Sequence, residues 1–266
     1  MQNVETFFAQ LWQQYTAINP QAETIHSLLT ARGETVVNDH VALRTFNTEK
    51  LGIDRLSQVF ENMGYVNRGS YDFTAKQLNA YHFEHIENPN YPKVFISELI
   101  TQSFSNEFQN IVNKIDDQVD TNSVLDEHFL YSGRPWDLTF TEYIRLLQES
   151  EYAAWTAAFG YRANHFTVSI NHLTTFFDIQ SLNDFIIDNG FAMNTSGGIV
   201  KGTPKQLLEQ SSTMAPMVNL EFSDVNHLIP SCFYEFAKRY PMDSGKLYQG
   251  FIAASADKIF ESTNTK

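Results

Sequence analysis

The stretch Asp39-His40-Val41-Ala42-Leu43-Arg44-Thr45-Phe46 reads as a β-strand carrying one imidazole and one guanidinium. Side chains alternate along a strand, so His40, Ala42 and Arg44 share a face. Arg44 lies roughly 13 Å along from His40, at ~3.3 Å per residue. Downstream, residues 53–63 have a helical period, with Leu56, Val59, Phe60 and Met63 on one face and Gly64 as the stop. Residues 65–73, 80–86 and 93–100 then read as strands separated by turn residues. The order is β-α-β-β-β. The same texture returns at Asn164-His165-Phe166-Thr167-Val168-Ser169-Ile170, followed by a helix over 182–188 that Gly190 stops, then strands over 191–200 and 215–222. His40 precedes Gly64 by nearly the span that separates His165 from Gly190, and Gly64–Glu98 resembles Gly190–Glu221 in length. Each half therefore offers a His on its first strand and a Glu on its last, which is a weak internal repeat.

Around this pair the chain is organised as a single domain, residues 1–266. The modules cover about 34–101 and 161–225. Two helices precede them, with a break at Asn19-Pro20, and a mostly helical insertion fills about 102–160. A C-terminal extension, 226–266, is mixed, with a helix expected around 232–238. The fold class expected is α+β.

Composition narrows the function. The 266 residues carry 18 Lys+Arg against 31 Asp+Glu, a formal net charge of −13, so a nucleic-acid partner is disfavoured by repulsion from phosphates. No segment reaches the ~18 apolar residues of a membrane span, and the N-terminal stretch lacks a basic n-region, so no membrane partner and a cytoplasmic location are expected. One cysteine, Cys232, excludes an internal disulfide and a cysteine-based metal cage. A small-molecule or protein partner remains, and oligomeric state is not legible.

A metal that must accept oxygen or a keto acid needs two neutral imidazoles and a carboxylate on one side, with the other side free. His40, His165 and Glu221 can supply that set, and Arg44 could grip the far carboxylate of a small diacid. The competing reading is two ordinary strand histidines and a surface arginine. Glu98, within the apolar run Phe95-Ile96-Ser97-Glu98-Leu99-Ile100, is costly there unless it is paired or on a metal. It reads as a fourth ligand, a partner of a histidine, a partner of Arg44, or an edge residue facing water. His82 and His85 lie three apart on a strand and point to opposite faces, so at most one is near a site. The glycine-rich run 197–203 lacks the ending of a phosphate loop. His26, His128, His172 and His227 read as core, surface or capping residues.

The block at 39–46, together with Phe95-Ile96-Ser97-Glu98-Leu99, Arg162-Ala163-Asn164-His165-Phe166-Thr167, Leu220-Glu221-Phe222 and Ala256-Asp257-Lys258-Ile259-Phe260-Glu261, resembles the short form of the 2-oxoadipate dioxygenase/decarboxylase family. The resemblance covers roughly residues 30–262. It implies a fold related to the vicinal-oxygen-chelate enzymes, with two βαβββ modules forming a curved sheet around one metal. It implies Fe(II) held by two His and one Glu, mapped onto His40, His165 and Glu221, although Zn or Ni could be carried as purified. It implies that Arg44 binds substrate, that Glu98 is a residue near the site, and that the partners are a 2-oxo acid and O2. The implied activity is oxidative decarboxylation and hydroxylation of 2-oxoadipate to 2-hydroxyglutarate in lysine catabolism. The alternatives are a divalent-metal isomerase, lyase or hydrolase of glyoxalase type, favoured if Glu98 completes a fourth ligand position, and a non-enzymatic keto-acid-binding module.

Overall fold

The computed structural model describes residues 3–264. Two helices open the chain, α1 (Val4–Ile18) and α2 (Pro20–Ala31), with Asn3 capping the first and Pro20 starting the second. The first module is β1 (Asn38–Phe46), α3 (Ile53–Asn62), β2 (Tyr65–Phe73), β3 (Leu78–His85) and β4 (Lys93–Leu99). Three helices fill the insertion: α4 (Asn106–Asp117), α5 (Phe140–Glu149) and α6 (Glu151–Phe159). Ser105 caps α4, a Thr139–Glu142 capping box starts α5, and Ser150 ends α5 and caps α6. The second module is β5 (His165–Ser169), α7 (Ile179–Asp188), β6 (Lys201–Thr203), β7 (Leu208–Ser212), a hairpin of β8 (Met217–Glu221) and β9 (Asn226–Pro230), and β10 (Phe233–Arg239). The last helix is α8 (Ala253–Ile259). No described helix is long and apolar enough to cross a membrane.

Eight strands form one strongly curled sheet in the order β2-β3-β4-β1-β5-β10-β7-β6. β1 pairs with β4 in parallel and β5 with β10 in parallel, and the two halves meet where β1 and β5 run antiparallel. The register relates the halves by an approximate two-fold: Ala42 faces His165 and His40 faces Thr167 across the seam, so His40 and His165 are equivalent positions. Even the turns echo. Gln77 before β3 and Leu207 before β7 both sit in the left-handed region, at φ 55° and 66°, which non-glycine residues rarely adopt.

Two expectations for the second half need correction. Residues 191–200 form no strand but an irregular turn, because Gly197 and Gly198 adopt φ of 70° and 99°. Residues 232–238 form no helix: Phe233-Tyr234-Glu235-Phe236-Ala237 lies in β10, the central partner of β5. The run contains no breaker to separate the two readings, but its aromatics suit a strand buried on both faces. The second module's strands thus run on to Arg239, past the expected limit near 225, with the β8–β9 hairpin inserted before its last strand.

One apolar core spans both halves. The face of β5 and β10 away from His165 packs under α1, where Trp12 meets Phe166 and Tyr234. The Glu34 carboxylate anchors this layer to the loop after β5, accepting bonds from the backbone amides and hydroxyls of Thr174 and Thr175. Burial disfavours its charge, but these four donors prevail and lower its pKa from 4.5 to about 2. Its contribution is therefore full above pH ~4.5 and is lost as pH falls through about 2. Glu34→Gln is expected to cost ~2 kcal/mol at pH 7, with the difference from wild type mostly gone near pH 2 in urea denaturation. An equal gap at both pH values would refute this account.

Candidate metal centre

β1, β5 and β10 are neighbours, and each turns one ligand-bearing side chain onto the same face. His40, His165 and Glu235 bring one ligand atom each to within 4.8 Å of one another. They are 2%, 4% and 0% exposed. Glu235 Oε2 lies 3.1 Å from His165 Nε2, and Oε1 lies 3.6 Å from His40 Nε2. The imidazoles stand edge to face, with centroids 5.5 Å apart.

The surrounding bonds fix which nitrogens are bare. His40 Nδ1 is 2.8 Å from Asp39 Oδ1. Arg239 grips the same carboxylate through Nε and Nη2 at 2.6 and 2.8 Å. Burial opposes that charge, but Arg239 and the His40 bond hold Asp39 well below the usual carboxylate range. As an acceptor only, Asp39 makes Nδ1 of His40 the donor and leaves Nε2 with its lone pair. His165 Nδ1 likewise meets Asn164 Oδ1 at 3.1 Å, leaving its Nε2 bare toward Glu235. Gln210 Nε2 donates to Glu235 Oε1 at 2.6 Å and orients the carboxylate, whose Oε2 is buried without a hydrogen-bond donor. The hydroxyl of Thr167 also reaches His40 Nε2, at 3.1 Å. Two imidazole lone pairs and a carboxylate converge in a dry cavity, an arrangement that is repulsive without a cation and suits a divalent metal. Asp39 is the outer support of that set. Asp39→Asn is expected to weaken metal affinity 10- to 100-fold, read by chelator competition; unchanged affinity would remove it from that role.

The carboxylate of this cluster is Glu235, and the expectation for Glu221 is corrected. Glu221 ends β8 in the separate two-stranded sheet, is exposed, and uses its carbonyl to accept from Arg134 Nη2 at 2.6 Å. Residues 215–222 read as the module's last strand, whereas that strand is β10. The signal that could have found Glu235 is the one that singles out Glu98, an acid inside an aromatic-rich strand.

Glu98 itself is not at the cluster. Its partner in register is Thr45, on the face opposite His40 and Arg44, and its Oε2 accepts from the Ile53 amide at 2.8 Å. It caps α3, whose N-cap residue Gly52 has no side chain to do so. Burial raises its pKa against that bond. The position equivalent to Glu235 in the first half is Phe95: two residues beyond the partner of His165 stands Glu235, and two beyond the partner of His40 stands Phe95. The two-fold set thus has three groups able to ligate a metal and one phenyl ring.

Arg44 is buried on the His40 face, with its guanidinium 4.9 Å from the ring centre of Tyr152 and 5.0 Å from that of Trp155, both on α6. Its Nη2 donates to Thr263 Oγ1 at 3.3 Å and Nη1 lies 3.5 Å from Glu151, while Nε and Nη1 make no hydrogen bond. A surface charge is excluded. Of the other histidines, His82 is buried between Tyr71 and Glu84, and His128, His172 and His227 are exposed.

The C-terminal segment closes the cavity. Phe251 lies edge-on to His40 at 4.8 Å, and Ala256, Ile259 and Phe260 complete the wall. Lys76 on the β2–β3 turn latches Glu261 at 2.6 Å. The cavity left beside the cluster measures about 20 Å³.

Comparison with known proteins agrees with this picture. The family model for 2-oxoadipate dioxygenase/decarboxylase matches residues 7–247. The chain is 35% identical to the 2-oxoadipate dioxygenase/decarboxylase, chloroplastic/amyloplastic, of Oryza sativa, over 97% of this chain and 78% of that one. It is 32% identical to the chloroplastic protein of Arabidopsis thaliana, over the same shares. Among solved structures, rice hydroxyglutarate synthase in complex with 2-oxoadipate superposes with a TM-score of 0.93 at 35% identity, covering 98% of this chain and 91% of that one. A Shewanella frigidimarina protein, provisionally described as a hydrolase, superposes with a TM-score of 0.91 at 52% identity, covering 96% and 99%. A glyoxalase-superfamily protein of Ralstonia eutropha shares the fold, with a TM-score of 0.80 at 20% identity over 93% and 85%. With its family model matched over most of its length and a set of residues that could hold a metal built across its two halves, the chain belongs to the 2-oxoadipate dioxygenase/decarboxylase family.

Proposed function

We propose that this chain is an Fe(II)-dependent enzyme that converts 2-oxoadipate and O2 into 2-hydroxyglutarate and CO2. The observation that carries the reading is Phe95 at the fourth ligand position. Two imidazoles and one carboxylate suit non-haem Fe(II), and a sphere not filled by protein leaves room for a chelating 2-oxo acid and for oxygen. When bound at His40, His165 and Glu235, Fe(II) would supply the means to activate O2 beside the oxo acid. The atoms balance. The diacid loses one carbon, its original carboxylate next to the keto group, which leaves as CO2 with both of its oxygens. The two atoms of O2 replace them, one in the new carboxylate and the other in the hydroxyl, and every hydrogen is retained.

The residues of this chain supply position and dryness. Arg44 Nε and Nη1 make no hydrogen bond, Nη1 being paired only at 3.5 Å with Glu151, and this guanidinium on the His40 face would hold the far carboxylate in a two-pronged grip, turning the carbon chain toward the metal. Asp39 and Gln210 keep His40 and Glu235 oriented. Phe95, Phe251 and Phe260 keep bulk water out. A cavity of about 20 Å³ admits little more than one water, so a six-carbon diacid enters only when the segment around α8 swings aside.

The test is anaerobic loading with Fe(II), followed by 2-oxoadipate and labelled O2. We expect one CO2 per O2 consumed, with label in both the new carboxylate and the hydroxyl of the product. Turnover with Zn(II) or Ni(II) and no need for oxygen would replace this reading with the glyoxalase-type alternative. Binding without turnover would replace it with a keto-acid-binding module.

A further inference from the structure

A second cavity, about 510 Å³, opens where β1, β4, β5 and β10 end, and it shares no lining residue with the one at the metal cluster. Its size is that of a small-molecule site. Lys93 and Arg239 stand in its wall, 7% and 3% exposed, and Lys246 stands at its exposed rim. The acids in the same wall are Asp39 and Glu84. With neutral histidines the lining has three cations against two acids, in a chain whose net charge is −13.

The hydrogen bonds show which of these charges is spare. Asp39 is held by Arg239 and His40. Glu84 lies 3.1 Å from His82 Nε2. Arg239 Nη1 donates to the carbonyls of Tyr248 and Gly250. Lys93 is different: among the described residues its ammonium has no hydrogen-bond partner and no carboxylate within 4.0 Å, though its residue is more than nine-tenths buried. Its ammonium opens onto the cavity, and Asp39 and Glu84 act on it only through space, so an anion entering the cavity would meet a charge with no direct partner. Its strand partner is His40, so it projects from the same face as the metal ligand, one strand over.

We propose that this cavity is a binding site for a small oxyanion, a carboxylate or a phosphate group, with Lys93 as its principal contact. It is separate from the site that takes the oxo acid. The site needs no iron, and its occupant shares a wall with Asp39, behind His40.

Calorimetric titration of the purified chain at fixed ionic strength tests it, with inorganic phosphate and glutarate as probes. We expect one equivalent of at least one probe to bind saturably, at least tenfold more weakly to Lys93→Met, and to recover in Lys93→Arg. Arg44→Ala should leave this binding intact, which separates it from the metal-side cavity. Tighter phosphate binding would identify a phosphate-bearing ligand, and tighter glutarate binding a carboxylate. Failure of both probes to saturate, or undiminished affinity in Lys93→Met, would overturn the proposal. If Lys93→Met does not fold, crystals of the wild type soaked in the same probes decide: an oxyanion on Lys93 Nζ supports the site, and oxyanions found only elsewhere reject it.

Discussion

Glu235→Ala is expected to purify with little metal and to lose more than ~100-fold in oxygen-consuming activity, whereas Glu221→Ala keeps both. The reasoning is local. Glu235 is fully buried and faces Nε2 of both His40 and His165, and no other carboxylate joins that cluster among the described residues. Loss of a residue behind a ligand already costs 10- to 100-fold in affinity, and loss of the ligand costs more. Glu221 is exposed at the end of a surface hairpin, where substitutions usually stay within about 0.5 kcal/mol. Elemental analysis of the two purified variants, beside oxygen uptake, settles the matter. Metal retained in Glu235→Ala, or lost in Glu221→Ala, would return the assignment to the hairpin. Circular dichroism should show both variants folded.

Arg44→Ala should raise KM for 2-oxoadipate roughly 100-fold while metal content stays at the wild-type level. A charge-assisted two-pronged bond to a carboxylate in a buried setting contributes about 3 kcal/mol, and 1.4 kcal/mol corresponds to a factor of about ten. Arg44→Lys keeps the charge but not the fork, so it should recover only part of the loss. The sharper readout is discrimination. A 2-oxo acid of equal length without the far carboxylate offers Arg44 nothing, so the preference for 2-oxoadipate over 2-oxohexanoate should collapse in Arg44→Ala. An unchanged preference would show that the far end is held elsewhere. Loss of metal would show instead that Arg44 supports the ligands.

Much of this arrangement is legible in the chain without coordinates. The alternation around His40 places Arg44 on its face, and the matching texture around His165 points to a second module. Those are short-range signals, set by strand parity and by glycine stops. Glu235 is harder because choosing the right acid depends on which strand returns to pair with β5. The β8–β9 hairpin offers a plausible final strand before the true one, and strand pairing across such an insertion leaves no local mark. Glu98 shows the converse. An acid in an apolar strand announces a partner without naming it, and here the partner is the backbone amide at the start of α3. Asp39 is hidden by its own neighbour. Strict alternation would turn its side chain away from His40, yet the register shifts between Asn38 and His40 and the two side chains meet. A bulge of that kind is not visible in an alternating pattern.

The tail from Phe251 to Thr263 carries a kinetic consequence. It touches His40 through Phe251, Arg44 through Thr263 and the β2–β3 turn through Glu261. On the proposed route past α8, each arrival and each departure would break that set of contacts. Measured affinity would then be the intrinsic affinity scaled down by the fraction of time the tail is open. Mutations in the Lys76–Glu261 latch would retune throughput without touching a single atom that meets the reactants.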